Sequence, residues 1–153
     1  MLFNNEFLKK VIPNVEIFGS INKSPEIEVD SRRCKKGDIF FALKGNQLNG
    51  HDFILDAIAN GADVIVIDHD HLHLKRGLIN TDISIVVVPD TYLSLLVLAK
   101  AWRQSFDLQV IGITGSVGKT TTKEMVVEIL KNSQAKFVYS AGNLNTMIGA
   151  EIG

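Results

Sequence analysis

The chain has 153 residues, with 16 Lys+Arg against 17 Asp+Glu (net charge −1), 46% hydrophobic and 22% charged residues. This composition belongs to a globular chain long enough to bury a core, and it excludes a disordered or fibrous protein. The even charge balance also excludes a basic nucleic-acid platform, and no apolar run approaches the roughly 20 residues of a membrane span. Met1 to Glu6 has no basic stretch leading into an apolar block, so no signal peptide is expected. Cys34 is the sole cysteine, which fits a reducing, cytoplasmic location.

In chain order, Ile27 and Val29 mark a short strand that ends at Asp30-Ser31-Arg32. Ile39 to Leu43 is an apolar run of strand length, closed by Lys44-Gly45-Asn46. Asp52 to Asn60 has Phe53, Ile54, Ala57 and Ile58 on one helical face, with Gly61 as a stop. Val64 to Ile67 and Ile83 to Val88 read as buried strands, and Pro89 ends the second. Between them, Asp68 to Gly77 is polar and strand-breaking, hence a loop. Its alternating Asp and His residues (His69, His71, His73) can suggest a metal, but better-specified metal patterns set ligands one helical turn apart or pair cysteines. A solvated loop is the preferred reading. Asp90 or Thr91 caps a helix to about Phe106, apolar at Leu95, Leu96, Val97, Leu98 and Trp102. A further strand is expected from Leu108 to Ile113, and a helix from Lys119 to Asn132 with Met125, Val126, Ile129 and Leu130 as its buried stripe. Alternating strands and helices predict an α/β protein with a partly parallel sheet and a boundary near Pro89-Asp90.

The strongest chemical signal lies between those last two elements, in Gly115-Ser116-Val117-Gly118-Lys119-Thr120-Thr121. A strand feeding a glycine turn that opens a helix makes a phosphate cradle. The glycines let successive backbone N–H groups face one concavity, and the helix N-terminus adds partial positive charge. Lys119 would reach the β- and γ-phosphates of a nucleoside triphosphate, and the Thr120 hydroxyl would hold Mg²⁺. The general phosphate-loop pattern wants a glycine where Ile113 stands; the core Gly-x-x-Gly-Lys-Thr is intact.

This loop resembles that of the Mur ligases, ATP-dependent amide-forming enzymes of peptidoglycan synthesis, whose loop reads Thr-Gly-x-x-Gly-Lys-Ser/Thr without the early glycine. Two further stretches agree. Val29-Asp30-Ser31-Arg32, Gly37 to Gly45, and Gly50-His51-Asp52-Phe53 are similar to the family's N-terminal UDP-binding domain. Lys123-Glu124-Met125 and Ala141-Gly142-Asn143-Leu144-Asn145 are closer to the member that adds D-alanyl-D-alanine to UDP-N-acetylmuramoyl-tripeptide. The resemblance implies a small N-terminal α/β UDP-binding domain (residues 1–88), then the truncated start of a phosphate-loop ATPase α/β domain (residues 89–153). It implies ATP and Mg²⁺ as cofactors, with Lys119 and Thr120 catalytic and Thr120 the metal ligand. Gly115, Ser116, Val117, Gly118, Lys119, Thr120 and Thr121 would bind ATP. Ser31, Arg32, Gly45, His51, Asn143 and Asn145 become candidates for the substrate side. It also implies a monomer and carboxylate activation through an acyl phosphate, which the amine of D-alanyl-D-alanine attacks. The family's later metal ligands, carbamylated lysine and C-terminal domain are absent, so these 153 residues alone are not expected to ligate.

Without the resemblance, Asp30-Ser31-Arg32 reads as a strand end and Gly45 to His51 as a plain loop. Cys34 reads as a small, partly buried side chain rather than a nucleophile. Two alternatives stand beside the leading one: the preceding ligase, which adds the third stem residue, and a nucleotide-sugar-binding module without turnover.

Overall fold

The computed structural model describes residues 3–23, 26–74, 77, 82–107, 109–134 and 136–140. The chain divides into two compact units, Met1–Trp102 and Arg103–Gly153.

The first unit runs β1 (Phe3–Asn4), α1 (Asn5–Val11), β2 (Glu16–Phe18), β3 (Asn22–Lys23), β4 (Ile27–Glu28), β5 (Ile39–Phe41), α2 (Ile54–Ala59), β6 (Val64–Asp68), β7 (Ser84–Val88) and α3 (Thr91–Gln104). β1 and β3 pair antiparallel as a small ribbon. The main sheet has the order β2-β7-β6-β5-β4, in which β4 to β7 are mutually parallel and β2 lies antiparallel at the edge. Parallel strands need crossovers, and such sheets are covered on both faces, which is why β5, β6 and β7 are continuous runs of β-branched and aromatic residues. On one face Phe40, Ile65, Ile67, Ile85 and Val87 pack with Ile54 and Ala57 of α2 and with Cys34. The alternate residues Ile39, Phe41, Val64, Val66, Val86 and Val88 are buried too, as are Phe7 and Leu8 of α1 and Leu95 and Leu98 of α3.

The residues that start α1 carry a legible signal: the Asn4 side chain accepts the Phe7 N–H at 2.9 Å, Glu6 sits in the first turn, and Lys9 and Lys10 in the last. All but the last two residues of α3 group with this unit, so the compact boundary falls after Trp102 rather than near Pro89. The reason is packing. The buried Thr91 hydroxyl donates to the Ala42 carbonyl at 3.0 Å, and Trp102 meets Phe7 edge-to-face at 6.4 Å. Asp90 caps the helix by accepting the Leu93 N–H at 2.7 Å. The expected helix from Asp52 begins instead as a 3₁₀ turn, Gly50–Phe53, before α2. The expected loop after Ile67 is more ordered than its composition suggests: β6 includes Asp68, and His69–Leu74 coil into a 3₁₀ helix.

The second unit holds α4 (Lys119–Lys131). The strand expected up to Ile113 is not formed by Gln109 to Ile113, and Val110 and Ile111 are exposed. A strand exists only by pairing, and no described segment pairs with it. The stripe on α4 is also shifted: Val127 is buried with Val126 and Leu130 half-buried, whereas Met125 and Ile129 are exposed.

Candidate functional site

Four parallel strands end at one edge of the main sheet, the usual place for a ligand in an open α/β sheet. The segments leaving that edge carry most of the substrate-side candidates. After β4, Asp30 caps a 3₁₀ turn, Ser31–Arg33, and binds Arg32 in two ways: its Oδ1 accepts the Arg32 backbone N–H at 3.1 Å, and its carboxylate takes Nε at 2.9 Å and Nη2 at 2.6 Å. That bidentate pair holds the Asp30 carboxyl down at about 2. Arg32 remains 85% exposed, so its other donors point to solvent, oriented by a partner that cancels much of its charge. Ser31 is buried and its carbonyl accepts from Asn60 Nδ2 at 3.0 Å, which pins the turn to the end of α2. Cys34 is buried below it, and desolvation, reinforced by Asp38, Glu28 and Asp30, pushes its thiol up to about 11. A thiol in that state is no nucleophile.

After β5 the chain makes a tight exposed turn. Gly45 N–H donates to the Leu48 carbonyl at 2.9 Å, Lys44 and Asn49 form an antiparallel bridge, and Gly50 N–H returns to Leu43 at 2.8 Å. His51 follows, but its ring is only 1% exposed. Its Nδ1 lies 2.8 Å from Asn49 Oδ1, and Nε2 accepts the Asp68 N–H at 3.4 Å. The sequence offers His51, in the Gly45 to His51 loop, as a substrate-side candidate and reads Asp68 and His71 as part of a solvated loop; the structure brings both against His51. His71 stacks on His51 at 3.7 Å and 14°, and its Nδ1 bonds Asp68 Oδ1 at 2.6 Å. Burial drives His51 toward its neutral form against the pull of Asp68. Burial alone would raise Asp68, but the His71 hydrogen bond and the two imidazoles outweigh it, leaving its carboxyl below the usual range.

The phosphate-loop candidates Gly115 to Thr121 lie in the second unit. Gly118 (φ 81°) caps α4 in the left-handed region, and Gly115 (φ 147°) also takes a positive φ, conformations that side-chain-bearing residues rarely adopt. Nothing lies within 4 Å of where a Gly118 Cβ would stand, so the backbone face is open. Lys119 Nζ is held on the Gly115 carbonyl at 2.6 Å, across the mouth of the turn, and Thr120 and Thr121 are exposed. An open glycine concavity, a helix N-terminus and a lysine folded over them fit a phosphate chain. Thr120 exposes a hydroxyl, the kind of hard oxygen ligand that Mg²⁺ accepts. Asn143 and Asn145 lie outside the described residues.

The comparisons with known proteins divide the chain at nearly the same place as its compact units. Residues 25–102 match the Mur ligase family, catalytic domain, and residues 113–152 match the Mur ligase middle domain. The chain belongs to the Mur ligase family. A UDP-N-acetylmuramoyl-tripeptide–D-alanyl-D-alanine ligase of Rickettsia prowazekii is 36% identical over 149 residues, covering 97% of this chain and 31% of that protein. The crystal structure of MurF from Acinetobacter baumannii superposes with a TM-score of 0.78 at 32% identity, covering 99% of this chain and 32% of that one. MurF from Thermotoga maritima, solved in complex with ADP, aligns over 84% of this chain and 28% of its own, with TM-score 0.67 and 36% identity. The chain thus spans about a third of the length of these relatives. Among the described residues no helix is long and apolar enough to cross a membrane.

Proposed function

We propose that this Mur ligase chain supplies two parts of an ATP-dependent enzyme that joins D-alanyl-D-alanine to UDP-N-acetylmuramoyl-tripeptide. These parts are the nucleotide-sugar anchor and the phosphate loop. The observation that carries the reading is the loop itself: Gly115 and Gly118 at positive φ, opening α4, with Lys119 drawn over the concavity. The choice of substrates rests on the Rickettsia relative, whose similarity runs through both units.

The loop's backbone N–H groups and the first turn of α4 would hold the phosphates of ATP. Lys119 would exchange the Gly115 carbonyl for a phosphate oxygen, and Thr120 would ligate Mg²⁺. When bound, ATP and Mg²⁺ supply an activated phosphoryl group, which converts a carboxylate into an acyl donor for an amine. The chain's own contribution is positioning and charge, which is most of what phosphoryl transfer asks of a protein. In the first unit, the Arg32 donors, the Ser31 turn and the Gly45 turn line the carboxyl edge where the uridine diphosphate would sit. Residues 1–102 then form the substrate domain, and the remainder begins the ATP-binding one.

The test is Lys119→Ala in a protein carrying the rest of a Mur ligase. Ligation, read as phosphate release and pentapeptide product, should be lost while the Kd for the UDP substrate stays nearly unchanged. Comparable loss of both would mean that the loop is structural or that the UDP site is misplaced.

A further inference from the structure

Behind the exposed turn at Gly45 to Leu48 lies a closed ring of side chains that the proposed function leaves unused. Asn49 stands at one end and Asp68, the last residue of β6, at the other; the His51 and His71 rings span the gap between them. His51 bonds Asn49 Oδ1 through Nδ1 at 2.8 Å and takes the Asp68 N–H on Nε2 at 3.4 Å. His71 mirrors it, with Nδ1 at 2.6 Å from Asp68 Oδ1 and Nε2 at 3.4 Å from Asn49 Nδ2. The tautomers follow from the partners: an amide oxygen and a carboxylate must each receive a proton, so both rings carry N–H on Nδ1. The stack at 3.7 Å and 14° ties the two rungs together.

The same three ionisable groups lie close enough to suggest a metal, with donor atoms within 4.8 Å of one another. The stack argues otherwise. A metal sits close to the plane of each imidazole that ligates it, and two nearly parallel rings 3.7 Å apart have no such point in common. Every ring nitrogen, moreover, already has a hydrogen-bond partner.

What the ring does control is Asn49. That residue is the bridge partner of Lys44 and caps the 3₁₀ turn at Gly50, so its placement sets both ends of the exposed turn. We propose that His71 and Asp68 are positioning residues for the nucleotide-sugar, holding Asn49 and the stacked His51 so that the Gly45 to Leu48 turn keeps the shape that meets the diphosphate. Neither residue touches the ligand. His51 acts in the same indirect way, since its ring is 1% exposed. This inference rests on the reading of the first unit as a nucleotide-sugar site.

The experiment titrates UDP into the 153-residue chain by calorimetry, with ATP-Mg²⁺ as a second ligand and the melting temperature as a fold control. His71→Ala should weaken UDP binding by about tenfold, a change of ~1.4 kcal/mol, and leave ATP-Mg²⁺ binding and the melting temperature close to wild type. His71→Asn, which keeps an N–H donor near the Nδ1 position toward Asp68, should recover most of the loss. Asp68→Ala should act in the same direction as His71→Ala. UDP binding by wild type and His71→Ala with equal affinity would overturn the inference and leave the nucleotide-sugar reading standing. A loss in His71→Ala that His71→Asn does not restore would overturn the hydrogen-bonded ring as its cause. No UDP binding by the wild-type chain would overturn both readings.

Discussion

The two units solve the same problem with unequal means. In the first, β5, β6 and β7 are buried on both faces, whereas in the second Val127 is the one buried apolar side chain among the described residues. Both contain a run that looks like a core strand, Val64 to Ile67 and Val110 to Ile113. The first run is a strand because β5 and β7 flank it, and the second is not. α4, by contrast, forms next to an unpaired segment, because a helix satisfies its backbone internally. Apolar periodicity states what a segment can become. Neighbours decide whether a strand does so.

The largest test of this contrast is a pair of core truncations. Phe40 is 1% exposed, so Phe40→Ala should lower the unfolding free energy by about 3–5 kcal/mol in urea melts. Ile129 is 70% exposed, and Ile129→Ala should change stability by no more than about 0.5 kcal/mol. Similar effects at the two positions would erase the distinction.

Hydrogen exchange sharpens it. Amides of Ile65 and Val66 should exchange only on global opening, those of α4 by local fraying, and those of Val110 and Ile111 almost as fast as an unfolded chain. Strong protection at Val110 would show that the segment has found a strand partner.

A smaller effect concerns Cys34. Its thiol is raised from the ordinary 9.0 to about 11, so the neutral form is favoured by folding. Its contribution to stability is therefore complete below pH 9.0 and is lost as pH rises through about 11. At pH 8 an alkylating reagent should modify native chain slowly and urea-unfolded chain quickly; rapid native labelling would mean an open core beneath β5.

The smallest concerns Asp30, whose folded value is depressed from 3.8 to about 2 by the Arg32 guanidinium. Its contribution is present above pH 3.8 and fades as pH falls through about 2, and it is slight because solvent screens the pair. Arg32→Ala should raise the Asp30 carboxyl part of the way toward 3.8, since the backbone N–H of residue 32 still donates to it, read by carbon NMR. An unchanged titration would show that the pair does not persist in solution.

Much of this arrangement is legible in the residues. The β-branched runs of β6 and β7, the Gly61 stop and the Gly-x-x-Gly-Lys-Thr loop need no tertiary information, since each follows from local sterics and periodicity. α1 carries a readable cap in Asn4 and charges suited to its dipole, but its seven residues are too few for a clear apolar periodicity. The antiparallel edge strand β2 has no such signal, being three residues whose structure comes from pairing with β7.

The sequence by itself determined the α/β alternation, the glycine loop on a helix N-terminus and the family, because those depend on residues adjacent in the chain. Tertiary structure alone decided three things. It assigned α3 up to Trp102 to the first unit, through Thr91 on Ala42 and Trp102 on Phe7. It withheld a strand from Gln109 to Ile113. It also drew His71 from a polar segment onto His51, between Asn49 and Asp68. Each of these turns on whether residues distant in sequence meet, as Thr91 meets Ala42 and His71 meets His51 and as no described segment pairs with Gln109 to Ile113, and topology decides that where the local pattern does not.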